Sequence, residues 1–205
     1  MNRGVLRLAA MAACALALSG CISLLPKSKP AQLYRFGPAP AAAGQVRPAP
    51  GPNAVAVFRS NGSFQEEAAD DRILTVTGGK AAYIAQSRWV APAAVLFDQA
   101  VAEAFDASPV RLLARGQQGR FAYALRLDVR NFEARYDAGP DAPPTVVVRI
   151  HAALSRADQS PVGEQMFEAS AAATDNRVGA IVAAYDKALA DVLGKLVAWT
   201  QATAT

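Results

Sequence analysis

Residues 121–136 read Phe-Ala-Tyr-Ala-Leu-Arg-Leu-Asp-Val-Arg-Asn-Phe-Glu-Ala-Arg-Tyr, and their parity decides the fold. Phe121, Tyr123, Leu125, Leu127 and Val129 share one side of an extended chain, while Arg126, Asp128 and Arg130 share the other. Side chains alternate strictly along a strand, so this is a strand with one buried face. The apolar set then moves to Phe132, Ala134 and Tyr136. A change of parity inside one strand requires an extra residue or an exchange of the buried face, which predicts a β-bulge at Arg130-Asn131.

Downstream, Asp137–Pro144 is a Pro/Gly/Asp loop, and Val146, Val148, Ile150, Ala152 and Leu154 repeat the alternation. Arg156–Pro161 is turn chemistry, and Glu164–Ala172 completes a three-stranded meander. Beyond it, Ile181, Val182, Tyr185, Leu189, Val192, Leu193, Leu196 and Trp199 recur at helical spacing, with Asp175 or Asn176 as the expected cap. Upstream, Phe97, Ala100, Val101, Ala104 and Phe105 mark a helix over 93–105, with Pro92 expected in its first turn.

Ile73–Thr77 and Ala81–Ala85 flank Gly78-Gly79 and predict a hairpin. Shorter strands are expected at 32–36, 54–58 and 110–114. The unbroken apolar run Ala54–Phe58 reads as a strand covered on both faces. Strands, a helix, more strands and a final helix give an α/β (α+β) class with a mixed, mainly antiparallel sheet and two helices packed on it.

The first 20 residues have the layout of a secretory signal. Arg3 and Arg7 form a basic start, Leu8–Leu18 an apolar run, and Leu18-Ser19-Gly20-Cys21 resembles a lipobox. The apolar run is shorter than the roughly 20 residues needed to span a bilayer. The expected organisation is a removed signal at 1–20 and a lipidated N-terminus and Pro/Ala-rich linker at 21–52. A periplasmic α/β domain follows at 53–202. Cys21 is expected to carry a diacylglycerol and a further acyl chain of the palmitate kind, three chains in all. The chain has two cysteines, Cys14 and Cys21, so the processed domain would hold no disulfide and must rely on its core.

The net charge of +4 includes the leader arginines. The remaining basic residues form no cluster, which argues against nucleic acid as a partner. His151 is the only histidine, sharing parity with Arg149, and no second His or Gly-x-Ser-x-Gly elbow accompanies it. Thr77-Gly78-Gly79-Lys80 lacks phosphate-loop spacing, and Glu66-Glu67 with Asp70-Asp71 lacks calcium-loop spacing. No catalytic, metal or cofactor site is therefore expected. Trp89 and Trp199 stand at the ends of helix patterns, where they close a core or anchor an interface.

In order, the chain shows Cys21, Leu33-Tyr34-Arg35-Phe36, Arg72-Ile73-Leu74, and Ala82–Trp89 running into a helix at Pro92. Leu125–Phe132, Gln165-Met166-Phe167 and a terminal helix ending near Trp199 follow. This succession resembles the ABC-type transport auxiliary lipoprotein family, which includes relatives of paraquat-inducible protein C. The Pro/Ala linker matches least.

The resemblance implies a noncatalytic partner of ABC transporter subunits and a mammalian-cell-entry (MCE) domain protein, moving lipids between inner and outer membranes. Self-association into a homo-oligomer is compatible with that role. Ile22, where an Asp would resemble an inner-membrane retention signal, points to the outer membrane, with the periplasmic face of the inner membrane as alternative. The competing function is a structural or assembly lipoprotein binding peptidoglycan or an outer-membrane protein.

Overall fold

The structure, a computed structural model, describes residues 30–37, 54–106 and 108–204. Cys21, Ile22 and the segment 38–53 lie outside these residues. Among the described residues, eight strands and two α-helices follow one another within the compact unit Ala31–Thr205. They are β1 (Gln32–Tyr34), β2 (Ala56–Arg59), β3 (Arg72–Thr77), β4 (Lys80–Trp89), α1 (Ala93–Asp106), β5 (Arg111–Leu113), β6 (Tyr123–Arg135), β7 (Thr145–Arg156), β8 (Pro161–Ala172) and α2 (Val178–Thr203). The strands form one mixed sheet. The long pairings β3–β4, β6–β7 and β7–β8 are antiparallel, and the short ones β1–β4, β2–β5, β2–β6 and β3–β6 are parallel.

Strand β6 is the hub. One edge pairs with β7 from Tyr123↔Arg156 to Arg135↔Thr145, with the register shift between Val129 and Asn131 that the parity change required. Its other edge is shared by a single upstream stretch of chain. β2 takes Tyr123–Leu125, Phe64 bridges to Val129, and β3 takes Ala134 and Arg135. Where the chain lifts away into a 3-10 turn at Glu66–Ala68, the Gln65 side chain replaces the backbone. Its Oε1 accepts the Phe132 N–H at 2.8 Å. The polar groups of this edge thus find partners without a continuous neighbouring strand.

The hairpin β3–β4 turns at Gly78 (φ +52°) and Gly79 (φ +80°), the two positive φ values that a two-residue turn matched to strand twist demands. Beyond the hairpin, Gln86 has φ +55° and the β3–β4 register slips; past this bulge Arg88 still pairs with Arg72 of β3, while Ser87, Arg88 and Trp89 pair with β1 on the other edge.

Helices α1 and α2 bury Leu96, Phe97, Val101 and Phe105, and Ile181, Tyr185, Leu189, Val192 and Leu196, against the apolar parity of β6, β7 and β8. At the centre, Phe36 lies 4.8 Å from Trp89 and 4.9 Å from Phe132, and Tyr185 lies 4.8 Å from Phe132 and 5.2 Å from Trp89. Burial drives the Tyr185 phenol far above its usual pKa, and its hydroxyl donates to the Leu74 carbonyl at 3.4 Å. Among the described residues no helix is long and apolar enough to cross a membrane.

Three expectations need correction. β2 is not covered on both faces: Val57 and Arg59 are buried, but Ala56 and Phe58 are half-buried, because the second face is shielded chiefly by Phe121 stacking on Phe58 at 5.1 Å. α2 is not capped by Asp175 or Asn176; Arg177 stands at its N-cap without a side-chain bond. Asn176 instead accepts from the Tyr136 hydroxyl and donates to the Pro140 carbonyl, pinning the β6–β7 loop. Pro92 precedes the first turn of α1 rather than lying within it. The first amides of that helix, Ala93 and Ala94, donate to the carbonyls of Asp70 and Ala69.

Candidate functional site

The sheet face turned away from the helices carries the polar parity of β6, β7 and β8. Cross-strand register sets His151 opposite Asp128. Its Nδ1 is 3.8 Å from Asp128 Oδ2, and its Nε2 is 3.3 Å from Glu164 Oε2. Asp128 is only 3% exposed. Its Oδ1 accepts the Ser63 N–H at 2.8 Å and the Ser63 hydroxyl at 2.9 Å, and Arg126 Nε stands 3.1 Å from Oδ2. Burial pulls the Asp128 pKa upward, but the two Ser63 bonds and Arg126 outweigh it, so the carboxyl titrates below the usual range.

A serine, a histidine and an aspartate therefore meet, but not in the order of a Ser–His–Asp triad. Ser63 donates to the carboxylate and not to the imidazole, so His151 is not placed to take the hydroxyl proton. The two carboxylates flank opposite nitrogens of His151, so they share no point where a cation would sit. Among the described residues no group of three or more His, Cys, Asp or Glu is arranged to hold a metal. Glu133, 4% exposed, repeats the pattern further along β6, receiving bonds from Gln65, Asn131 and Arg135. Both buried carboxylates secure the interrupted edge of β6.

Trp89 is 2% exposed and fully committed to the aromatic centre, which leaves no ring surface for a partner. Trp199 is half-buried near the end of α2, edge-on to Phe167 at 5.7 Å. Cys21 and Ile22 lie outside the described residues.

Two concave features were not anticipated. A cleft of about 60 Å³ is lined by Arg59, Ser63, Asp98 and Arg115. Asp98 on α1 bridges Arg59 at the end of β2 and Arg115 after β5. Burial, followed by repulsion from Arg115, lowers the Arg59 guanidinium to about 10. This triad braces the helix against the sheet edge, and each residue type alone gives no sign of it in sequence.

The second feature is a groove of about 620 Å³ between α1 and α2. Leu189, Leu193 and Val197 of α2 face Ala100 and Ala104 of α1, and Gly37 closes one side. The small residues Ala100/Ala104 and Ala190/Gly194, each pair four positions apart, keep side chains from filling the gap. That spacing was available in sequence, but apolar small residues on a helix read as core. The polar lining is Glu103, Asp186 and Ser108. The Gly37 N–H donates to Asp186 Oδ1 at 2.8 Å, and burial raises the pKa of that carboxyl.

The family model described as ABC-type transport auxiliary lipoprotein component matches residues 39–197. No curated protein matches the chain in sequence. A crystal structure of a Xanthomonas campestris protein, described under the family label DUF330, shares 25% identity at a TM-score of 0.66, covering 84% of this chain and 96% of that one. A crystal structure of an uncharacterized protein shares 12% identity at a TM-score of 0.62, covering 83% and 99%. At that identity the second likeness speaks for the fold alone.

Proposed function

From the premise that this chain belongs to the family of ABC-type transport auxiliary lipoprotein components, we propose that it is the periplasmic, lipid-anchored partner of an MCE-domain protein in a system moving lipid between the two membranes. The single observation carrying the reading is the family match over residues 39–197, most of the folded unit. The saturated hydrogen bonding of Asp128 and the order Ser63–Asp128–His151 support a noncatalytic role.

Cys21 would be the anchor. Three acyl chains exceed by far the marginal hold of one, so attachment would be permanent on the time scale of transport. Ile22 in place of an acidic sorting residue favours the outer membrane. The partner would be met through the protein surface, with Trp199 the more accessible of the two tryptophans.

Affinity purification of the lipidated chain from gently solubilised membranes tests the reading. Recovery of an ATPase, a permease and an MCE-domain protein is the expected result. Recovery of peptidoglycan fragments or an outer-membrane barrel, with none of those subunits, would replace it with a role in envelope assembly.

A further inference from the structure

We propose that the groove between α1 and α2 is a binding site for the alkyl chain of an amphiphile whose head carries a cationic ammonium group. Its volume of about 620 Å³ falls in the range of small-molecule sites, roughly 300–1,000 Å³, which are mainly apolar with a few placed polar groups. Leu189, Leu193 and Val197 supply an apolar floor. Gly194 and Ala190 on one wall and Ala104 on the other leave a narrow trough between two helix backbones. An unbranched alkyl chain can lie along such a trough between the two helices.

Charge selects the head. Among the described lining residues there is no Lys, Arg or His, and the two ionisable groups are the carboxyls of Glu103 and Asp186. Asp186 is fixed by the Gly37 N–H at 2.8 Å, so its position does not depend on a ligand. A fatty-acid carboxylate or an alkyl sulfate would meet like charge beside a partly desolvated surface, and an ammonium would meet its complement. That the natural ligand is drawn from a membrane rests on the transport function proposed above; the preference for an alkyl ammonium rests on the groove alone.

The Cys21→Ala chain, free of its own acyl groups, can be titrated by calorimetry with decyl-, dodecyl- and tetradecyltrimethylammonium below their micelle concentrations. Dodecylphosphocholine serves as a zwitterionic arm and dodecyl sulfate as an anionic one. A single site is expected, tightening roughly fourfold per added methylene. Tight phosphocholine binding would assign the site to a zwitterionic phospholipid, and binding of the simple ammonium alone to a cationic amphiphile; both support the proposal.

At Gly194 a Cβ meets nothing within 4 Å, so Gly194→Leu is expected to keep the fold while its side chain fills the groove. It should weaken the dodecyl ammonium at least tenfold without lowering the melting temperature. Glu103→Gln should weaken the ammonium severalfold while sparing chain-length dependence.

An affinity unchanged in Gly194→Leu, or dodecyl sulfate bound at the same site as tightly as the ammonium, would overturn the proposal. So would saturable binding of a basic amphipathic peptide with none of the alkyl ammonium, or alkyl binding that appears only after removal of residues 41–50. No partner protein is needed for these measurements, so their failure is separate from a failed purification of transporter subunits.

Discussion

The Phe36 ring stands edge-on to the Trp89 indole, their centroids 4.8 Å apart and their planes at 85°. This contact fastens the short strand β1 to the end of β4 and to α2 through Tyr185, 6.5 Å from Phe36. An isolated three-residue edge strand holds little by its own hydrogen bonds. Phe36, 1% exposed, supplies the burial that keeps it in place. Phe36→Ala is expected to cost about 3–5 kcal/mol, the usual loss for a buried phenylalanine. Urea unfolding followed by Trp89 fluorescence would measure it as a lowered midpoint.

Gly62 is required for a different reason. A Cβ at that position would lie 1.9 Å from the Leu127 carbonyl oxygen and 2.7 Å from its carbon, both backbone atoms of β6. Neither can swing aside as a flexible side chain would. Gly62→Ala should therefore destabilise by at least about 1–3 kcal/mol, the range for overpacking. Thermal melts should show the loss. A variant as stable as the parent would mean that the 60–65 segment does not lie against β6 as described.

Asp128 links stability to acid. Its folded pKa is depressed, so its contribution is fully present above the unfolded value near 3.9 and disappears as pH falls through the lower folded value. Arg126, Arg130 and His151 face it, and Ser63 donates to it twice. Asp128→Asn should cost about 1.5–3 kcal/mol at neutral pH, the range for hydrogen bonds to a charged group. The difference from the parent should shrink below about pH 4. Denaturation midpoints measured from pH 7 to pH 3 would reveal the convergence. Parallel curves would place the charge dependence elsewhere.

Membrane attachment should depend on one sulfur. Cys21→Ala is expected to move the protein from the membrane pellet to the soluble periplasmic fraction while leaving its circular dichroism and melting temperature unchanged. The variant should also fail to support transport in the intact cell. Retention in the pellet after a high-salt wash would locate the anchor at another position.

The meander, the Gly78-Gly79 hairpin, the bulge at Arg130 and both helices were legible because each is a local pattern, written in parity or in helical spacing. What escaped depends on partners far apart in the chain. Asp128 and Glu133 fall on the polar parity of β6, yet both are buried, because the stretch from Ser60 to Gln65 crosses over that edge. The run at Ala54–Phe58 looked doubly covered, but the short strand between β5 and β6 has one face only half covered. The groove was hidden for a related reason. Ala100, Ala104, Ala190 and Gly194 look like packing residues until the two helices are set side by side and no described residue fills the space between them.

The two-sided role of β6 also dictates timing. Val57 and Arg59 find their partners at Tyr123 and Leu125, and Val76 finds its own at Arg135. β2 and β3 can pair with β5 and β4 on one edge, but their other edges have no partner until β6 has been made. Such long-range parallel pairings close late, after the local meander of β6, β7 and β8 has formed. If residues 1–20 act as an export signal, as their layout suggests, this order would be an advantage in biogenesis. The N-terminal half would stay without its β6 partner while it passes through a secretion channel, and the sheet would close only when the C-terminal half arrives on the far side.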